Sequence, residues 1–219
     1  MRVAIFDFDG TLYKRETFQL LMNYLKKHPE YNKYYGRFFR SILPRFIAYK
    51  LKLYPESRMK ERSMQIYINA LQHLSKQQIL TFFAEIAEIM QDDFNHKVVE
   101  KLKQHNKDNV YTMLVSGAFI PLLEPAVANY EFDQIIGTAI PFNDDTFDQT
   151  TPIFHIQGER KKDKIFDALK DHSIDWENSY AYGDSYSDLP VLQLVGNPVA
   201  VQPDNELLTL AKRKNWHII

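Results

Sequence analysis

The sequence predicts an α/β protein: a three-layer α/β/α core around a mostly parallel sheet, interrupted after its first strand by an all-helical insert. Two observations carry this. Short apolar runs alternate with helix-period segments from about residue 92 to the end, a pattern that implies right-handed crossovers and helices on both faces of the sheet. Residues 14 to about 90 instead hold a single glycine, Gly36, and no strand signal.

The first strand is Val3 to Phe6, an apolar run that stops at Asp7-Phe8-Asp9-Gly10-Thr11. Residues two apart in an extended chain point to the same side, so Asp7 and Asp9 project together. Paired carboxylates repel unless a cation or a proton lies between them, so stability alone does not choose them. In the insert, Phe18, Leu21 and Leu25, and then Ile79, Phe82, Phe83, Ile86 and Ile89, recur at helical spacing. Pro29, Pro44 and Pro55 mark expected helix boundaries, and Ser75 with Gln78 forms a capping-box signal. Four or five helices result. The run Tyr34-Tyr35-Gly36-Arg37-Phe38-Phe39-Arg40 could suggest a membrane-surface or nucleic-acid patch, but reads chiefly as the insert's own small core, with basic residues snorkelling around it.

Beyond the insert, a helix containing Val98, Val99 and Leu102 precedes a strand over 110–115, closed by Ser116-Gly117. A helix over 121–130, a strand over 134–139 and a hairpin within 140–157 around Asn143-Asp144-Asp145 follow. Then come a helix over 161–171, a strand over 179–182 entering Gly183-Asp184, a short helix over 189–195, a strand over 198–201 and a helix over 205–214. The expected division is a core of residues 1–13 and 90–219 with an insert of 14–89. Ligands of such sheets bind beyond the carboxyl ends of the strands.

With 27 Lys+Arg against 28 Asp+Glu, bulk charge points to no nucleic-acid partner. The absence of cysteine excludes disulfides, thiolate catalysis and Cys-based zinc sites. No apolar run reaches the roughly 20 residues of a membrane span, and no secretory segment is evident, so the expectation is a cytoplasmic protein with no membrane partner. It would be a monomer or a homodimer.

Polar groups collect at the strand ends. Asp184 and Asp188 flank a Ser-Tyr-Ser turn; with Asp7 they can converge on one hard cation, and an all-oxygen set selects magnesium, Mg2+. Ser116 offers a hydroxyl and nearby backbone N–H groups for phosphate oxygens, and a lysine can supply the positive charge that a phosphoryl group needs.

Asp7-Phe8-Asp9-Gly10-Thr11, Ser116-Gly117, Lys161 and Gly183-Asp184-Ser185-Tyr186-Ser187-Asp188, in this order, resemble the haloacid dehalogenase (HAD) superfamily of phosphohydrolases. The tail from Gly196 to Asp204, with Asn215-Trp216 near the end, looks like the phosphoserine phosphatase-like subfamily IB, and the insert matches its helical C1 cap in position and helical character. The resemblance covers residues 1–13 and about 90–219. It implies a Rossmann-like core and a phosphoric monoester hydrolase acting on a small phosphorylated metabolite, phosphoserine or a relative.

It further implies that Asp7 attacks phosphorus to form an aspartyl-phosphate, while Asp9 protonates the leaving oxygen and then activates water. Asp7, the main-chain carbonyl of Phe8 and Asp184 would hold magnesium, with Asp188 bound directly or through water. Ser116, Gly117 and a lysine would bind phosphate, and Thr11 would orient Asp9 or the phosphate. Gly158-Glu159-Arg160-Lys161 matches the subgroup's Gly-x-x-Lys, with Lys164 one turn later as the second candidate. Glu16 either reads a substrate amine or faces solvent; Arg58 and Arg62 either meet a substrate carboxylate or form a solvated face. A phosphomutase and a phospho-ligand binding module are the competing functions, the latter weakened by the intact Asp7 and Asp9.

Overall fold

The structure is a computed structural model describing residues 1–219, apart from the side chains at 56 and 57. The core sheet has six strands, all parallel, in the order β3-β2-β1-β6-β7-β8. They are β1 (Val3–Phe6), β2 (Tyr111–Phe119), β3 (Gln134–Thr138), β6 (Tyr180–Gly183), β7 (Asn197–Ala200) and β8 (His217–Ile218). A separate antiparallel hairpin pairs β4 (Phe142–Asn143) with β5 (Thr146–Phe147).

Between β1 and β2 come α1 (Thr17–Lys27), α2 (Asn32–Lys50), α3 (Glu56–Ala70), α4 (Lys76–Ile89) and α5 (His96–Lys107). The later helices are α6 (Ile120–Ala126), α7 (Glu159–Leu169), α8 (Leu189–Leu192) and α9 (Asn205–Arg213). All four residues of β1 are buried, and their alternation divides the core. Ala4 and Phe6 pack with Leu102 of α5 and Leu122 of α6. Val3 and Ile5 pack with Ile165 of α7, Leu192 of α8 and Leu207 of α9. A parallel strand covered on both faces has to read as a continuous apolar run. The aromatic interior of the insert, with Phe38, Tyr67, Phe82 and Phe83, is continuous with the first of these faces.

Several boundaries differ from the sequence reading. Pro44 does not end a helix but lies inside α2. It has no N–H to give the Arg40 carbonyl, and both residues are exposed, so water can take that bond. Pro55 does stand at a boundary, as the N-cap of α3, and both bonds of the Ser75–Gln78 capping box form at α4. Strand β2 continues past Ser116 to Phe119 through a register shift against β3, and α6 is correspondingly short. The last strand, β8, was not expected: two residues at a sheet edge carry too little pattern to read.

Candidate active site

The sheet order reverses between β1 and β6, since the chain goes from β1 outward to β2 and β3 and returns at β6. The crevice beyond the carboxyl ends of these two strands is the place where such sheets take ligands. Asp7 follows β1 directly, and its amide donates to the Tyr182 carbonyl of β6 at 2.9 Å. Asp184 follows β6. The Asp9-Gly10 turn approaches Asp184 so closely that a Cβ at position 10 would collide with that carboxylate, and Gly10 has φ +72°. Only glycine adopts that backbone at little cost.

One oxygen from each of Asp7, Asp184 and Asp188 lies within 4.8 Å of the others. Lys161, in the first turn of α7, sends Nζ to Asp7 Oδ1 at 2.5 Å and to Asp188 Oδ1 at 2.6 Å. Burial by itself would depress this lysine, but the two carboxylates outweigh it and hold the ammonium protonated. Burial and the neighbouring acids push Asp7 and Asp184 above the ordinary carboxylate range, with Lys161 working against them. Asp188 is further oriented by the amide and hydroxyl of Ser185.

Asp9 serves a different element. Its carboxylate accepts from the Thr17 amide at 3.0 Å and from Thr17 Oγ1 at 2.8 Å, so it caps α1 and meets the positive end of that helix. Burial, then the charges of Glu16 and Asp7, raise its pKa to about 8 in spite of those bonds.

Asp7, Asp9, Asp184 and Thr17 line one cavity of about 750 Å³ whose wall also includes Phe18 and Met22 of α1, Phe46, Tyr49 and Lys50 of α2, and Met59 and Met64 of α3. Asp188 is buried beside Lys161 and is not part of the wall. Ser116, Gly117, Glu16 and Lys161 are in the wall as well. Ser116 Oγ accepts from the Ala118 amide at 3.1 Å, which orients the hydroxyl. Four expected residues lie elsewhere. Lys164 is turned toward Asp167 at 3.6 Å. Arg58 and Arg62 are exposed and outside the cavity wall. Thr11 is fully buried, with no hydrogen-bond partner for its hydroxyl among the described residues.

The Phe8 carbonyl, expected to face a cation, instead accepts from the amides of Thr11 and Tyr13 and closes the loop. Both of its lone pairs are used within the turn. The sequence reading did not find Thr17 or His155. His155 also lines the cavity and stands against Gly117, where a Cβ would collide with its ring. Its place as the first residue of an apolar-periodic helix could have suggested Thr17; nothing in the chain around His155 signals its place.

An α/β chain with an inserted helical unit and an acidic cluster at its sheet reversal matches one family in particular. Residues 4–193 fit the haloacid dehalogenase-like hydrolases, and the chain belongs to that family. Among curated relatives, a Streptomyces azureus "inhibition of morphological differentiation protein" is 26% identical over 158 residues. That match takes in 71% of this chain and 57% of the relative, so the chain spans little more than half of that protein's length. A protein of unknown function from Bordetella pertussis has the same fold, with a TM-score of 0.82 and 18% identity over all of this chain and 97% of the other. A substrate-bound phosphoserine phosphatase shares it with a TM-score of 0.65 and 17% identity, covering all of this chain and 92% of that one.

Proposed function

We propose that this hydrolase is a magnesium-dependent phosphomonoesterase working through an aspartyl-phosphate on Asp7. The observation that carries this is the clustering of Asp7, Asp184, Asp188 and Lys161 at the sheet reversal, with Asp7, Asp184 and Lys161 lining the cavity there. The donor set fits magnesium: three carboxylates, all oxygen, two of them raised first by burial and then by the neighbouring acids, a cost that a cation relieves. Asp7, Asp184 and Asp188 would hold the ion, and Phe8 would not. When bound, the ion keeps Asp7 ionised and offsets charge on the phosphoryl oxygens.

In the first step an Asp7 oxygen bonds to phosphorus as the bond to the leaving oxygen breaks. Asp9, held by Thr17 and retaining its proton near neutrality, gives that proton to the leaving oxygen. In the second step Asp9 takes a proton from water as it attacks the aspartyl-phosphate, which frees Asp7 and inorganic phosphate. Lys161 and the Ser116 hydroxyl bind the equatorial oxygens. The similarity to a phosphoserine phosphatase supports this class of substrate, but the aromatic and methionine wall favours a leaving group bulkier and more apolar than serine.

Phosphate release from p-nitrophenyl phosphate tests the reading. Turnover should require magnesium and fall at least about 1,000-fold in Asp7→Asn, the scale of losing a nucleophile, with the melting profile retained. Beryllium fluoride should place an acyl-phosphate mimic on Asp7. Undiminished activity in Asp7→Asn would remove the mechanism. Activation by a sugar bisphosphate, without net release, would favour a phosphomutase.

A further inference from the structure

Helix α2 buries Tyr34, Phe38 and Ile42 against the rest of the insert, which is the small core the sequence suggested. Its outer side is apolar too. Phe39, Leu43, Phe46, Ile47 and, just past its end, Leu51 stand exposed at helical spacing, and Leu53 follows at 76% exposure. Six of the twelve exposed large apolar side chains among the described residues thus fall within residues 39–53.

The same stretch is strongly cationic. Residues 31–55 contain Lys33, Arg37, Arg40, Arg45, Lys50 and Lys52 and no acidic residue, in a chain of net charge −1. None of these six pairs with a carboxylate among the described residues. Arg37, Arg40 and Arg45 give their hydrogen bonds to backbone carbonyls, and Lys50 lies over the Phe46 ring at 5.4 Å from its centroid. Neutral bulk charge concealed this concentration, and the expectation of no membrane partner rested only on the lack of an apolar run long enough to span a bilayer.

An exposed apolar stripe edged by unpaired basic residues is the physical signature of a helix lying in a bilayer interface, with apolar side chains in the acyl boundary and ammonium and guanidinium groups among anionic headgroups. No helix of the structure is long and apolar enough to cross a membrane, so the contact is peripheral. The stripe also reaches the cavity, because Phe46 and Lys50 belong to both.

We propose that α2 docks the protein onto an anionic phospholipid surface. The docking stands apart from the phosphatase reading. On that reading it has a consequence, since the cavity would then open beside the headgroups and receive a phosphate monoester with an apolar tail.

Co-sedimentation with vesicles tests this, using phosphatidylcholine alone and phosphatidylcholine mixed with phosphatidylglycerol. The full chain should bind the anionic vesicles about tenfold or more tightly than the neutral ones, and lose that margin in high salt. Ile47→Glu/Leu51→Glu and, separately, Arg40→Glu/Lys52→Glu should each weaken binding about tenfold or more, at unchanged melting temperature. No binding to anionic vesicles, or binding by both variants as tight as that of the unsubstituted chain, overturns the proposal. A dimer in gel filtration that Ile47→Glu/Leu51→Glu dissociates, without vesicle binding, overturns it in favour of a self-association face. Release of phosphate from p-nitrophenyl phosphate in the same preparations separates the two readings: vesicle binding without release removes only the phosphatase, and release without vesicle binding removes only the docking.

Discussion

A methyl group at Gly10 would strike the Asp184 carboxylate, and the backbone there already has φ +72°. Gly10→Ala should therefore cost about 1–2 kcal/mol in urea unfolding and, by displacing Asp184, lower phosphate release about tenfold or more. A loss of stability with full activity would mean that Asp184 is not needed where it lies. Asp7, Asp9, Asp184 and Asp188 could be picked out in the chain because carboxylates beside glycine turns are costly to bury and improbable as mere structure. The Gly158-x-x-Lys161 pattern favoured Lys161 over Lys164 without settling the choice: one helical turn separates them, and only packing decides which is buried. Thr17 and the Phe8 carbonyl belong to the same class of question, since their roles depend on which partner the folded loop brings within 3 Å or so.

Helix α4 opens with the reciprocal bonds of Ser75 and Gln78, at 2.9 and 3.2 Å. Ser75→Ala leaves the Gln78 amide without its cap, and should lower the unfolding free energy by about 1 kcal/mol, read as a shift of the urea midpoint at constant slope. An unchanged midpoint would mean that the bridge from Ser75 to Thr146 of the hairpin carries that end instead. Capping chemistry and apolar period are local, so α4, β1 and the strand entering Asp184 were readable in one dimension. Pro44 misled because a proline's cost in a helix depends on whether water reaches the carbonyl it leaves unpaired, which is a property of the surface. The two-residue β8 exists only because β7 offers it an edge.

The insert and the core are tied by more than the chain. Arg160, next to Lys161, meets Glu61 of α3 at 2.9 Å, and the Ile153 amide donates to Gln65 of α3, also at 2.9 Å. We regard residues 14–89 as a cap whose position over the cavity these contacts hold.

Stability of the assembled fold should depend on pH through His105, which joins α5 to β6 by a 2.8 Å bond to the Tyr182 hydroxyl. Burial lowers its pKa to about 4, so the folded state takes up its proton at lower pH than the unfolded chain, where histidine titrates near 6.5. This group's contribution is complete above about pH 6.5 and declines as the pH falls toward 4, by on the order of 2 kcal/mol. The raised carboxylates Asp7, Asp9 and Asp184 act in the opposite sense, so the informative quantity is the difference from His105→Gln. That variant should lose the His105 part of the slope between pH 6.5 and 4 in urea titrations; an identical slope would show that His105 protonates freely in the fold.

By itself the sequence determined the α/β class, the strand runs, the helical insert and the acids at the strand ends. Each of these is set by local spacing or by the cost of burying a charge. The tertiary structure alone decided which lysine meets Asp7 and Asp188, that Asp9 caps α1, and which side of α2 remains uncovered. Those depend on segments distant in the chain packing against one another, and no local pattern encodes that packing.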